Sequence, residues 1–259
     1  MQKNNRESAS PDFFFCGDCV NSRIKLSARA AMCGSYLSVV PAVAAIILLL
    51  SVFSVCNAAL NYFFSAEAAL LAAFAACSLP VSIAAVSPLR LRLQMKLLML
   101  ARGRARFGKP EICFADALKA CELSVRLFLL KLFWFAVFEA VPTACAAAFI
   151  YYNRHNAVSL RAAYAVMTGL SVLALAGVLF YSVFIQRYSE SWFFLACYKD
   201  FSAGDAIRES ARRTRGRLAE IFFFKLSFAP WFLLCIAILP AFYVIPYYKQ
   251  SLTCLYLSR

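Results

Sequence analysis

Apolar residues in this chain gather into long charge-free runs, from Ala30 to Ala66, Ala68 to Leu89, Ala162 to Gln186 and Leu226 to Tyr248. A fifth run, Leu132 to Asn153, is broken only by Glu139. A helix needs about 20 apolar residues to cross a hydrocarbon core of about 30 Å. The pattern therefore predicts spans over Tyr36–Cys56, Glu67–Pro88, Leu129–Tyr152 and Arg161–Gln186. The last apolar region reads either as one span, Leu226–Tyr248, or as two, Leu218–Leu239 and Ala241–Leu257, with a tight turn at Pro240. Proline removes a backbone donor and favours a break there, so two spans are preferred. The expectation is an all-α, polytopic transmembrane helical bundle of six spans in three hairpins, with five spans as the alternative.

The polar connectors carry a second pattern. Asn57–Glu67 has no Lys or Arg, Leu89–Val125 has eight, Asn153–Arg161 has two, and Arg187–Lys225 has eight. Basic connectors mark the cytoplasmic side of multi-pass proteins, which orients the N-terminus inward. With six spans, only Arg154 and Arg161 among the 27 Lys and Arg fall outside. The domains read as a cytoplasmic N-terminal segment, 1–29, and one membrane domain, 30–259, with basic connectors at 89–125 and 187–217. Residues 1–29 lack the short apolar core and small-residue cleavage site of a secretory signal.

A faint repeat agrees with three hairpins. Asp116-Ala117-Leu118-Lys119 precedes the third span and Asp205-Ala206-Ile207-Arg208 the fifth, while Leu130–Trp134 resembles Phe224–Phe228. Hairpins repeated from the same side are related by an axis along the membrane normal, as in parallel-repeat transporters.

Composition strengthens the membrane reading. The chain is 63% hydrophobic and 15% charged, with mean hydropathy +0.70, against about 45–50% apolar residues in soluble domains. Its formal net charge of +14 borders apolar spans, where anionic headgroups attract Lys and Arg. No nucleic-acid-binding motif accompanies that charge. The expected partners are a bilayer with anionic headgroups and a membrane protein, with no nucleic acid. Eleven cysteines lie mostly in spans or on the cytoplasmic side and read as reduced thiols.

Few motifs carry chemistry. Cys16 and Cys19 form the only C-x-x-C, without the second pair that a structural zinc site takes. Ser202 and Asp205 have the spacing of a capping box. Arg208, Arg212 and Arg215 then recur with Arg213 and Arg217 alongside, and Glu209 stands four before Arg213. An interfacial helix contacting anionic lipid through these five arginines competes with a solvated connector that only fixes orientation. Glu139 is the candidate intramembrane site, since a carboxylate inside a span is costly and by default functional. The competing reading is a hydrogen-bonded structural glutamate, with Pro142 freeing a carbonyl nearby. Lys131 and Lys225 read as anchors that snorkel to headgroups. No catalytic set can be assembled, so the chain is expected not to be an enzyme and to need no cofactor or metal.

Arg187-Tyr188-Ser189, then Asp205–Ser210 and Gly216, lead to Leu226-Ser227-Phe228, Trp231, Pro246-Tyr247-Tyr248 and Tyr256. With Lys25–Tyr36 at the start, this order resembles the bacterial membrane family catalogued as domain of unknown function 975. The likeness covers about 75 residues well. Ala229-Pro230 and Pro240 stand where that family commonly has glycine. The resemblance implies a multi-pass protein of the bacterial cytoplasmic membrane and supplies no activity. Two functions follow as expectations. The first is a non-enzymatic scaffold or partner-binding protein, and the alternative is a small-molecule or lipid transporter with Glu139 in its translocation cavity.

Overall fold

The computed structural model describes residues 17–63, 68–103, 112–155, 159–235 and 238–258. All regular structure in them is helical. The helices are α1 (Gly17–Met32), α2 (Tyr36–Phe63), α3 (Ala68–Ala101), α4 (Phe114–His155), α5 (Leu160–Phe184), α6 (Ser191–Cys197), α7 (Ala203–Arg213), α8 (Leu218–Leu226), α9 (Ala229–Leu234) and α10 (Ile238–Leu257). A short 3-10 turn, Ile185–Tyr188, joins α5 to α6. Gly34 sits at φ +80° between α1 and α2, a conformation that side chains with a Cβ resist.

Among the described residues, three stretches of helix are long and apolar enough to cross a membrane: Tyr36–Ala59, Phe114–His155 and Arg161–Cys197. The most apolar windows of these stretches are only 11%, 6% and 0% buried within the protein. The large side chains of α5, among them Tyr164, Val172, Leu175 and Phe180, face outward. Such surface is unstable in water and ordinary in lipid.

Helix length explains where the packed core lies. At about 1.5 Å per residue, the 42 residues of α4 extend about 63 Å, twice the hydrocarbon thickness. The basic segment 89–125 is therefore only partly a connector, because α3 runs on to Ala101 and α4 begins at Phe114. These extensions, with α1, α6, α7, α8 and α10, enclose a core containing Leu91, Leu123, Phe194, Phe224, Phe228 and Leu255. A smaller cluster joins Val39 and Val43 of α2 to Leu93, Leu97 and Leu100 of α3. Burial concentrates at the basic end.

The last third departs from the sequence expectation. Instead of one helix over Leu218–Leu239, the chain breaks at Ser227 and Phe228 into α8 and α9. Pro230, the second residue of α9, has no N–H to bond the carbonyl of Leu226. Pro240 is not the turn. It is the third residue of α10, within the first turn, where an N–H has no intrahelical partner anyway. The chain turns earlier, at Cys235, with residues 236–237 outside the described set.

α10 then packs along α1. The Tyr247 hydroxyl reaches the Lys25 carbonyl at 3.4 Å, and Lys25 Nζ lies 4.6 Å from the Phe228 ring centre. Near the start of α10, Phe242 accepts a 2.5 Å bond from the Tyr36 hydroxyl. Tyr36 opens α2, so the first turns of α10 rest at the entry of α2 and not at its far end.

Candidate functional site

A cavity of about 610 Å³ lies where the apolar runs give way to the basic ends of the helices. α3 contributes Arg90, α4 Lys131, α8 Lys225 and α10 Lys249. Local sequence explains why each can stand there. Arg90 follows the apolar half of α3, and Lys131 interrupts the apolar run of α4. Lys225 is the next-to-last residue of α8, just before the break at Ser227 and Phe228. Lys249 follows the Tyr247-Tyr248 pair, which packs against Phe228. Four helices thus converge four cations on one space.

No Asp or Glu lines the cavity among the described residues. Lys225 donates to Gln186 Oε1 at 2.6 Å, and the charge of buried Glu190 reaches it. Arg90, Lys131 and Lys249 form no ion pair among the described residues. The cations repel one another instead, Lys131 against Arg90 and Lys249 against both. Around them stand the Gln94 and Gln186 amides and Ser189, whose buried Oγ has no hydrogen-bond partner among the described residues. The α2 share of the lining is aliphatic, Val43, Ile46, Ile47 and Leu50, and Leu93 of α3 and Ile245 of α10 add to it. A second cavity of about 290 Å³ shares Leu50, Arg90, Leu127, Lys131 and Trp192 with the first. Three hydroxyls, from Ser82, Ser87 and Ser124, line it too, and Ser87 bonds Ser124 at 2.5 Å.

Several contacts hold this frame. Gln94 Nε2 donates to Thr253 Oγ1 at 3.2 Å, tying α3 to α10. Trp134 Nε1 donates to the Tyr188 hydroxyl at 3.1 Å, tying α4 to the turn after α5. Ser210 Oγ accepts from the Glu190 N–H at 3.2 Å and donates to the Arg187 carbonyl at 2.9 Å. This locks α7 beneath the same turn.

Comparison of the chain with protein-family models, curated proteins and solved structures gives no match. The site must be read from its own chemistry. A space lined by four cations and no acid favours a ligand carrying more than one negative charge, since each anion relieves repulsion as well as gaining attraction.

Glu139, the candidate from sequence, lies elsewhere and lines neither cavity. Its Oε1 is buried without a hydrogen-bond partner among the described residues. It presses against α5 at Gly177, where an added Cβ would stand 2.8 Å from Oε1 and 3.1 Å from the Phe138 carbonyl oxygen. Pro142 removes the N–H that would bond that carbonyl, and the Thr143 hydroxyl donates to the carbonyl of Glu139. α4 and α5 thus come close enough to exclude a Cβ at a point where α4 has lost a regular bond.

The five arginines do not share one face. Ala203, Ala206, Ile207, Ser210 and Thr214 form the buried stripe of the α7 segment, packed on α6 and α4. Arg208, Arg212, Arg215 and Arg217 are exposed, whereas Arg213 is half-buried. Arg213 lies 5.6 Å from the Phe194 ring centre and donates to the Tyr256 carbonyl at 3.4 Å. Arg217 pairs with Glu220. Glu209 pairs with Arg212 at 2.9 Å, three residues on, and not with Arg213. The expected capping box is present, with Ser202 and Asp205 bonding each other's backbone N–H. Hydrogen bonds from Ser202, then from Arg208, hold the Asp205 carboxyl below the usual carboxylate range. Cys16 lies outside the described residues, and only the backbone of Cys19 is described.

Sequence reading missed the cationic cavity. The available signal was four basic residues, in or beside apolar helices, with no acid three or four residues away. Lys131 and Lys225 had been expected to reach outward to headgroups. Here both line the cavity, Lys131 exposed and Lys225 half-buried.

Proposed function

We propose that this chain is a multi-pass, permease-like protein of the bacterial cytoplasmic membrane that binds an anionic ligand in the cavity at the cytoplasmic ends of its spans. The four-helix convergence of Arg90, Lys131, Lys225 and Lys249 carries this reading. The scaffold expectation rested on the scarcity of charge within the spans, and these cations supply it at their inner boundary. Clustered intramembrane charges facing a cavity mark ligand pathways. The bacterial setting rests on the resemblance to domain of unknown function 975.

α2, α3, α4 and α5 are the spans in this reading. The third hairpin, α8 to α10, folds back from the cytoplasmic side and closes the cavity. The six-span expectation places the turn at Pro240 outside, whereas the bond between Tyr36 and Phe242 favours an inside position for Cys235 and Pro240. An impermeant maleimide added to intact cells should leave Cys235 unlabelled when it is the only cysteine retained. Labelling from outside would restore six spans.

Anion binding is tested through Trp192, which lines both cavities. With Trp134 and Trp231 changed to Phe, Trp192 is the sole tryptophan. Iodide should quench it more strongly than neutral acrylamide, relative to free tryptophan. Lys131→Gln with Lys249→Gln should remove that excess and leave acrylamide quenching unchanged. Iodide quenching that is the same in both proteins would reject the anion-binding reading.

A further inference from the structure

Resting on that reading, the geometry points to a phosphate-bearing lipid as the ligand, its headgroup held by the cations and its chains on the aliphatic wall of α2. Three observations separate such an amphiphile from a free aqueous anion. The first is the division of the lining. Polar groups come from α3, α4, α8, α10 and the turn after α5, while Val43, Ile46, Ile47 and Leu50 of α2 form an aliphatic side. A small hydrated anion gains nothing from an apolar wall and would be poorly solvated beside it. A lipid fits both halves.

The second observation is the opening. α2 packs on α3 and α10 but makes at most incidental contact with α4 or α5 among the described residues. Leu50 lines both cavities and is 41% exposed. It stands within the apolar stretch Tyr36–Ala59, so the doorway beside it is bordered by surface suited to lipid. A ligand entering there arrives from the bilayer and keeps its chains in an apolar medium throughout.

The third observation is the charge arrangement. Arg90 and Lys131 are shared by the two cavities, which places a cation pair at the junction of two recesses. Arginine forms bidentate bonds to phosphate oxygens, and lysine acts beside it as a point charge. Lys249, repelled by both, supplies a third contact for a phosphate with more than one negative charge. Ser189 Oγ, without a partner among the described residues, and the Gln94 amide add neutral hydrogen bonds at the same site. A carboxylate would satisfy fewer of these groups.

The test uses the full chain with Trp192 as sole tryptophan, in nanodiscs of phosphatidylcholine. Dioctanoyl phosphatidic acid is titrated and Trp192 emission followed, with dioctanoyl phosphatidylcholine and inorganic phosphate as parallel arms. Phosphatidic acid should bind at least about tenfold more tightly than either. Lys131→Gln and Lys249→Gln should each weaken it about fivefold, the equivalent of one charge near a lipid surface. Ile46→Phe narrows the apolar wall without touching the cations. It should weaken phosphatidic acid while leaving iodide quenching intact, which also shows that the variant is folded. Inorganic phosphate binding as tightly as the lipid would overturn the lipid assignment and keep the anion-binding reading. Equal binding of phosphatidylcholine would overturn the phosphate selectivity. If phosphatidic acid does not bind although iodide quenches preferentially, the lipid proposal fails alone. If iodide shows no preference either, both fail.

Discussion

The apolar half of the α4–α5 pair and the basic end of the bundle are built from similar residues packed by opposite rules. In α5, Leu175, Leu179 and Phe180 face outward. At the basic end, Phe194, Phe224, Phe228 and Leu255 are fully enclosed. Apolar side chains leave water wherever they can, but in a bilayer the surrounding lipid is as apolar as leucine. Helix association there depends on close contact of small residues and on hydrogen bonds. Gly177 against Glu139 is that kind of contact, and Phe224 against Phe228 is the other kind. The cationic cavity sits at the junction, where low-dielectric surroundings strengthen the field of each charge.

The largest expected effect tests this contrast directly. Phe224→Ala should destabilise the protein in nanodiscs by about 3–5 kcal/mol, because the enclosed site collapses only partly around the void. Phe180→Ala, on the outward face of α5, should stay within about 0.5 kcal/mol of the parent. Thermal unfolding of the two variants side by side gives the difference. Equal losses would show that α5 is covered by protein and not by lipid.

A smaller effect is expected where the two spans touch. Gly177→Val adds bulk against a backbone carbonyl as well as the Glu139 carboxyl, and overpacking of this kind costs about 1–3 kcal/mol. Gly169→Ala should be silent, since nothing lies within 4 Å of its added Cβ. Glu139→Ala removes one of the two obstacles. A double-mutant cycle with Gly177→Ala should therefore show coupling in unfolding measurements, and strict additivity would separate the two residues.

The same contrast explains what could be read in the sequence. Spans are legible because a run of about 20 apolar residues needs no tertiary information. Ser202 and Asp205 were legible because a capping box is local, and Ile207 belongs to a stripe of helical period. The core around Phe224 was not legible, because its residues look like any others in an apolar run. Pro230 and Pro240 were both visible, and both lie in the first turn of a helix, but a proline in an apolar run does not say which residues before it belong to that helix. The cavity was hidden most deeply. A lysine near a span boundary has one sequence signature whether it reaches outward to headgroups or inward to three other cations. Only the relative rotation of α3, α4, α8 and α10 separates the two.

The smallest effect concerns α7, which holds the underside of the basic end in place. Ser202→Ala removes the capping hydroxyl that accepts from the Asp205 N–H at 3.2 Å and should cost about 1 kcal/mol. The same cap predicts a direction with pH. The carboxyl of Asp205 is held below its ordinary range by Ser202 and Arg208, so the folded state favours the charged form. A depressed pKa contributes stability above the unfolded value and loses it as pH falls through the folded value. The parent protein should therefore lose part of its stability on acidification below about pH 4, the unperturbed range of aspartate. Ser202→Ala should lose less over that interval, because the largest of the bonds that depress the pKa is already gone while the Arg208 contact remains. Trp192 emission followed during thermal unfolding at each pH reports the comparison, since α6 and α7 pack together. Identical pH profiles in the two proteins would mean that the cap contributes geometry without a charge-dependent share.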